Sequence, residues 1–469
     1  MHQNIYVKLV KKMKFLRRMK NGHFYIALFA LAMPIVTQQF IMAMLSFVDS
    51  IIVGGLGTNY IAAVGLSNQY YFIVELWLFG ATSGSAIFTA QMWGKNDKKS
   101  IGKVLLLCLL VGLGSSGSMA ILAGVFPKEI IGLFSKDANV IAIGSEYLRL
   151  SAIACVMLSV TVSISAVLRS MGMVKLPLFV SSIALCINTF LGYSLVYGKF
   201  GFPEMGVYGA AIGIIIARFI EMTLLIYLVW KDVPELHLHL SDFKRLKPYF
   251  VKEYFSVSLP VIVTELVWSI GVSFYIAAYA FIGTEAMAAR LIVLNIEKIG
   301  WVIFIGTGNA CAVMIGHAIG AGRMDDVKLY TKRFIRLFTI MALIVGALYV
   351  ISVPIVVQFY DISAETKKLA IYCAYAAAAF LWVRVTNYLL YIGLFRSGGD
   401  TKFGMFGDLG SVWLVGVPAA FIAAHVLHLP VYWAYALITM EEVVKLGIAI
   451  PRLLSHKWIR DVANKVREV

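Results

Sequence analysis

Residues 24–53 read FYIALFALAMPIVTQQFIMAMLSFVDSIIV, and residues 251–282 read VKEYFSVSLPVIVTELVWSIGVSFYIAAYAFI. Both are longer than the roughly 20 apolar residues a helix needs to cross a bilayer core, with room for tilt. Each carries an internal proline, Pro34 or Pro260. Sliding the chain on itself by 226 residues, without gaps, lays Pro34 on Pro260. The same offset lays Gly57-Thr58 on Gly283-Thr284, Ala62-Ala63 on Ala288-Ala289, Gly80 on Gly306 and Gly94 on Gly320. An offset of 227 lays Arg169-Ser170 and Gly172 on Arg396-Ser397 and Gly399. The coincident residues are mostly Pro and Gly. Proline removes a helical hydrogen bond, and small residues let helices approach closely. A chance match between apolar sequences would align Leu, Ile and Val instead, so the chain reads as a duplication.

Apolar stretches also fall at about 60–90, 103–126, 139–168, 176–198, 207–230, 286–315, 334–358, 367–395, 403–425 and 431–451. They are continuous rather than alternating, which favours helices over barrel strands, each satisfying its own backbone. The expected fold is an all-α membrane protein of twelve transmembrane helices in two six-helix lobes related by a pseudo-two-fold. Six spans separate equivalent positions, so both halves enter the membrane the same way and the axis runs along its normal. Proteins so built place a site at the repeat interface and expose it alternately to each side, which favours a transporter over a channel or an enzyme. The expected boundaries are a cytoplasmic basic arm over 1–23, an N-lobe over 24–230 and a cytoplasmic linker over 231–250. A C-lobe over 251–453 and a cytoplasmic basic tail over 454–469 complete the chain.

Composition agrees. The 469 residues are 60% hydrophobic and 14% charged, with mean hydropathy +0.84, against about 25% charge in soluble domains. The formal charge of +16 does not point to nucleic acid, because no segment is long and polar enough to form a basic soluble domain. About 30 of the Lys and Arg fall in segments facing one side of the membrane and about 5 on the other, the positive-inside bias. Both termini are therefore expected in the cytoplasm of a cell (plasma) membrane. Residues 7–20, VKLVKKMKFLRRMK, read either as a basic helix on anionic lipid or as a solvated tail. Cys108, Cys155, Cys186, Cys311 and Cys373 lie in apolar stretches without metal-ligand spacing and read as buried small hydrophobes. No disulfide, metal or cofactor is expected. His237 and His239 in the linker are weak metal candidates beside their reading as loop residues.

The motifs lead further. Pro34 … Val48-Asp49-Ser50 … Gly54-Gly55-Leu56-Gly57 is followed by Ala62-Ala63-Val64-Gly65. Ala90-Gln91-Met92-Trp93-Gly94 has a partner in Gly316-His317-Ala318-Ile319-Gly320-Ala321-Gly322-Arg323, and Phe395-Arg396-Ser397-Gly398-Gly399-Asp400-Thr401-Lys402 closes the set. In order and duplicated, these motifs resemble the multidrug and toxic compound extrusion (MATE) family, bacterial branch, over residues 24–455. The resemblance implies a V-shaped pair of bundles. It implies export of small organic, often cationic, compounds in exchange for H⁺ or Na⁺. A monomer in the lipid bilayer is expected.

An ionisable group inside a span is costly unless paired or hydrated, so each is a functional candidate. Asp49, 15 residues after Pro34, matches the family's first-span acid, which the resemblance assigns to cation coupling; an interfacial cap is the alternative. Asn188 matches the fifth-span Asn that assists it. Family members often carry a second acid where this chain has Gly192. Glu265 falls opposite Gln39 in the repeat, and many relatives place their seventh-span acid at the position of Trp268. Glu265 reads as a cation or substrate ligand, or as half of an ion pair with Arg384. Glu75 and Glu297 are near-equivalent and are candidates for substrate binding, with a Glu297–Lys298 pair as the alternative. Arg384 and Asn387 share a face of the tenth span. Tyr71 and Trp268, with Tyr70, Trp77 and Trp301, could stack on organic cations or serve as packing. Glu146 with Arg149, Arg218 with Glu221, and Glu441/Glu442 with Lys445 read as local pairs, and Asp400 as a helix cap. No nucleophile–base set or phosphate loop occurs, so the protein is not expected to be an enzyme. Two other readings stand beside the exporter: a flippase for lipid-linked precursors, and a membrane sensor or scaffold without transport.

Overall fold

The computed structural model describes residues 23–238 and 246–465. The basic arm up to residue 22, with the possible lipid-surface helix over 7–20, lies outside the described residues, as do residues 239–245 with His239, and 466–469.

Among the described residues, twelve long helices follow one another. The first six are α1 (His23–Gly54), α2 (Thr58–Lys95), α3 (Lys98–Val125), α4 (Ala138–Ser170), α5 (Lys175–Tyr197) and α6 (Val207–Asp232). Then come α7 (Pro248–Ile282), α8 (Thr284–Gly320), α9 (Met324–Val356), α10 (Ala364–Phe395), α11 (Thr401–Val426) and α12 (Val431–Leu454). Eleven of them are long and apolar enough to cross a membrane. The remaining one, α12, carries Glu441, Glu442, Lys445 and Arg452, which lower its hydropathy without shortening it. The ends obey local chemistry. Asp97 caps α3 through Ser100 N–H, and Asp137 caps α4 through Asn139 and Val140 N–H. Such bonds satisfy donors that a helix start leaves open.

The chain divides into two compact units, Met1–Tyr254 and Phe255–Val469, the boundary falling inside α7 rather than in the linker. Within the first, α2 packs on α4, α3 on α4 and α4 on α6; within the second, α8 packs on α10, α9 on α10 and α10 on α12. These are the same pairings six helices apart. The retained glycines have a physical reason. Gly57 and Gly283 both have positive φ (118° and 150°), as do Gly172 and Gly399 (84° and 75°), a region that L side chains rarely adopt.

Close helix approach appears at Gly209, where an added Cβ would lie 2.5 Å from the Leu195 carbonyl. Backbone cannot yield as a flexible side chain would, so Gly209→Ala is expected to part α5 from α6 and destabilise the protein by about 1–3 kcal/mol. Thermal unfolding in detergent checks this against Gly114→Ala, whose Cβ meets nothing within 4 Å.

Candidate functional site

In the first unit, Asp49 lies five residues before the end of α1, half-buried. Asn188 on α5, itself buried, donates from Nδ2 to its Oδ1 at 2.8 Å. Among the described residues no Lys or Arg lies within ion-pair distance of Asp49. Asp49 therefore meets α5 and does not cap a helix end. The Tyr197 hydroxyl donates to the Ile52 carbonyl at 2.7 Å, fixing the same end of α1 against α5. Lower down, Gln38 Nε2 donates to Ser181 (3.1 Å), Ser181 donates to Glu221 (3.1 Å), and Arg218 pairs with Glu221 at 2.7 Å. The buried glutamine that joins α1 to α5 and α6 is thus Gln38. Gln39, the residue opposite Glu265 in the repeat, is half-buried and stands outside this chain of bonds.

Glu75 is exposed near the midpoint of α2, without a basic group at ion-pair distance among the described residues. A carboxylate at that depth belongs in a hydrated space rather than against lipid. Tyr71, one turn earlier, packs against both core clusters of the unit, one around Val74 and Leu148 and the other around Val53 and Tyr147.

The second unit is organised by ion pairs. Glu265 on α7 is buried and pairs with Arg396 Nη2 at 2.5 Å. The expected partner, Arg384, is committed elsewhere. It lies 3.4 Å from Glu297, donates to the Tyr435 hydroxyl at 2.9 Å and stacks over Trp301 at 5.3 Å. Glu297 pairs with Arg290 at 3.3 Å as well, and not with Lys298, which is exposed. Arg290 escaped the sequence reading although it lies seven residues, two turns, before Glu297 on one face. Its guanidinium covers the Tyr435 ring at 4.7 Å.

Asn387 is buried and donates to the Glu442 carbonyl and carboxylate, both at 2.7 Å. Lys445 meets Asp408 and lies 4.0 Å from Glu442. Trp268 packs partly buried against the core around Tyr275 and Tyr279. Glu146 accepts the Tyr208 hydroxyl instead of pairing with Arg149. Cys186 is exposed, unlike the other four cysteines. His237 Nε2 lies 2.6 Å from the Trp230 carbonyl, and among the described residues no His, Cys, Asp and Glu group could hold a metal ion.

Asp400 makes no cap bond. It is fully buried and takes Arg452 Nε and Arg460 Nη2, each at 2.7 Å. The C-terminal segment is thereby fastened to the loop before α11, with Trp458 buried beside Gly398. The arginines are partly exposed, so Asp400→Ala is expected to cost only about 1–3 kcal/mol. Trypsin cleavage after Arg452 or Arg460 should be severalfold faster, read as loss of the C-terminus by mass spectrometry.

Two similarly paired six-helix units, with carboxylates set inside their spans, define a multi-pass membrane protein of the transporter class. The MatE family model matches residues 34–194 and again 260–422, so the chain belongs to the MatE family. The two matches begin on Pro34 and Pro260, the pair from which the duplication was read. A probable multidrug resistance protein NorM from Thermotoga maritima is 25% identical over 444 residues, covering 92% of each chain. A probable multidrug resistance protein YoeA from Bacillus subtilis is 24% identical over 389 residues, 80% of this chain and 81% of its own. The fold is similar to that of a multidrug resistance MATE family transporter whose own structure was captured in an outward-facing conformation (TM-score 0.82, 18% identity, 94% and 96% of the two chains). A MOP superfamily transporter from Pyrococcus furiosus is similar to the same extent (TM-score 0.82, 18% identity, 94% and 96%).

Proposed function

We propose that the protein is a secondary exporter. It moves small organic compounds, mainly cationic, out of the cell in exchange for H⁺ or Na⁺ by alternating access. The observation that carries this reading is Asp49: a carboxylate inside a span, held by one amide and free of any basic partner among the described residues. Such a group can take up and release a cation without first breaking a salt bridge. Its affinity for that cation answers to hydration and to neighbouring charge. Asn188 orients the carboxylate.

Glu75, exposed on α2, meets the positive charge of the substrate, with Tyr71 beside it. Glu265 is a second coupling acid that acts only when its bond to Arg396 opens. Gln39, Trp268, Glu297, Arg384 and Asn387 contribute to substrate contacts, Asn387 through Glu442. A ligand drives the cycle only by binding one state better than the other. The protein works as a monomer in the plasma membrane with both termini cytoplasmic, which the charge asymmetry of its loops supports.

The test is accumulation of a fluorescent organic cation in cells lacking their own exporters. Expression of the chain is expected to lower accumulation, and expression of Asp49→Asn is expected not to. Equal accumulation with and without the chain would contradict the reading.

A further inference from the structure

The second unit contains a buried acid that none of the roles above uses. Glu441 on α12 is 8% exposed, and its carboxylate accepts the hydroxyl of Tyr275, itself buried on α7. No basic group lies within ion-pair distance among the described residues; Lys445, one turn on, is engaged by Asp408 and Glu442. Glu441 was expected to share that lysine and does not. Gly416 faces the pair, and a Cβ there would collide with both the Tyr275 hydroxyl and the Glu441 carboxylate. Gly416 ends a π-helical segment, Val412–Gly416, the kind of local widening that often marks a functional site.

The duplication gives this cluster its meaning. The two family matches start 226 residues apart and end 228 apart (194 against 422). As the offset grows from 226 to 228 along the repeat, Asp49 on α1 corresponds to Tyr275 on α7 (226), Asn188 on α5 to Val415 or Gly416 on α11 (227 or 228), and Gly213 on α6 to Glu441 on α12 (228). In the first unit the acid stands on the first helix, the fifth supplies the amide, and the sixth packs tightly. A Cβ on Gly213 would lie 3.1 Å from Gly192 N. In the second unit the first helix supplies a hydroxyl, the fifth a glycine that leaves space, and the sixth the acid. At this level the same three-helix corner holds a carboxylate in each unit, supplied by a different helix; Glu221, two turns along α6 from Gly213, is paired with Arg218.

We propose that Glu441 is the second unit's proton-binding carboxylate, the repeat counterpart of Asp49, with Tyr275 as its hydrogen-bond partner and Gly416 as the space it occupies. A cluster of one carboxylate and one phenol offers too few oxygens for Na⁺, so the ligand is a proton. Uptake converts carboxylate to carboxylic acid, and the proton returns to water on release. The charged and titratable groups around it are Glu442 and Lys445 on α12, Asp408 on α11 and Tyr275 on α7; Tyr279 lies next to Tyr275, and Arg384 on α10 faces Glu442 and reaches α12 at Tyr435. The assignment to coupling rests on the export reading; the assignment of a proton site does not.

Two measurements separate them. Infrared difference titration of the purified full-length protein is expected to show a carboxylic-acid C=O band that titrates with pH and is missing in Glu441→Gln. In proteoliposomes, Glu441→Gln is expected to lose at least tenfold in pH-gradient-driven efflux of a fluorescent organic cation while keeping substrate exchange without a gradient. Glu441→Asp should retain part of the driven flux. Gly416→Ala should impair it, and Gly447→Ala, which meets nothing within 4 Å, should not. If Glu441→Gln is poorly folded, Gly416→Ala and Glu441→Asp carry the same test. An unchanged band in Glu441→Gln, or wild-type driven flux in Glu441→Gln or Gly416→Ala, overturns the proposal. Wild-type protein with the band but without driven flux would keep the proton site and remove the export reading.

Discussion

Asp49→Asn is expected to cut gradient-driven efflux at least tenfold, about 1.4 kcal/mol or more on the coupled step, while the protein remains folded and binds substrate. The amide is isosteric with the carboxylate, and Asn188 can turn its own amide to meet it, so the helix contact survives. What is lost is the negative charge. A neutral amide takes up neither H⁺ nor Na⁺, and the state that should be favoured by the inward gradient gains nothing from it. The comparison is made in proteoliposomes, with gradient-driven flux and substrate exchange measured on one preparation. A parallel fall in both would assign Asp49 to substrate binding or structure, and wild-type flux would remove it from the mechanism.

The largest stability effect is expected at Glu297. Its carboxylate lies within 3.4 Å of two guanidinium groups, Arg290 and Arg384, and all three side chains are at most one-fifth exposed. Removing one partner of a buried charge cluster costs about 3–5 kcal/mol because the remaining charges stay desolvated. Glu297→Gln keeps the shape and removes the charge, leaving both arginines without the acid they share. A marked fall in thermal unfolding temperature and in monodisperse yield is expected. Adding Arg290→Met should recover part of the loss, since groups in one network do not contribute additively. Unchanged stability in Glu297→Gln would show that the cluster is hydrated.

The fold was legible because the duplication left residues whose backbone roles are irreplaceable. Pro34 and Pro260 open the matched regions, and Gly57 with Gly283 and Gly172 with Gly399 hold the same left-handed turns. Asp49 and Asn188 were legible through their motif positions, and the structure brings them together across 139 residues. The ion pairs of the second unit were less so. Nearness in sequence led to Glu297–Lys298, adjacent, and to Glu146–Arg149, three apart, yet in a buried bundle the partners are chosen by which helix lies opposite. Glu265 finds Arg396, 131 residues away at the end of α10. Asp400 looked like a cap because it precedes a helix; it serves the C-terminal arginines, whose approach no local pattern reveals. Glu441 was read with Lys445 for the same reason. Its true surroundings emerge only when Gly416 is seen to leave room for it.

The central claim, ion-coupled export, is tested most directly by reconstituting the full chain in proteoliposomes. A fluorescent organic cation is loaded, and a pH gradient or a Na⁺ gradient is imposed separately. Efflux accelerated by one of the two gradients, and lost in Asp49→Asn, is the predicted result. Efflux indifferent to both gradients would contradict the account.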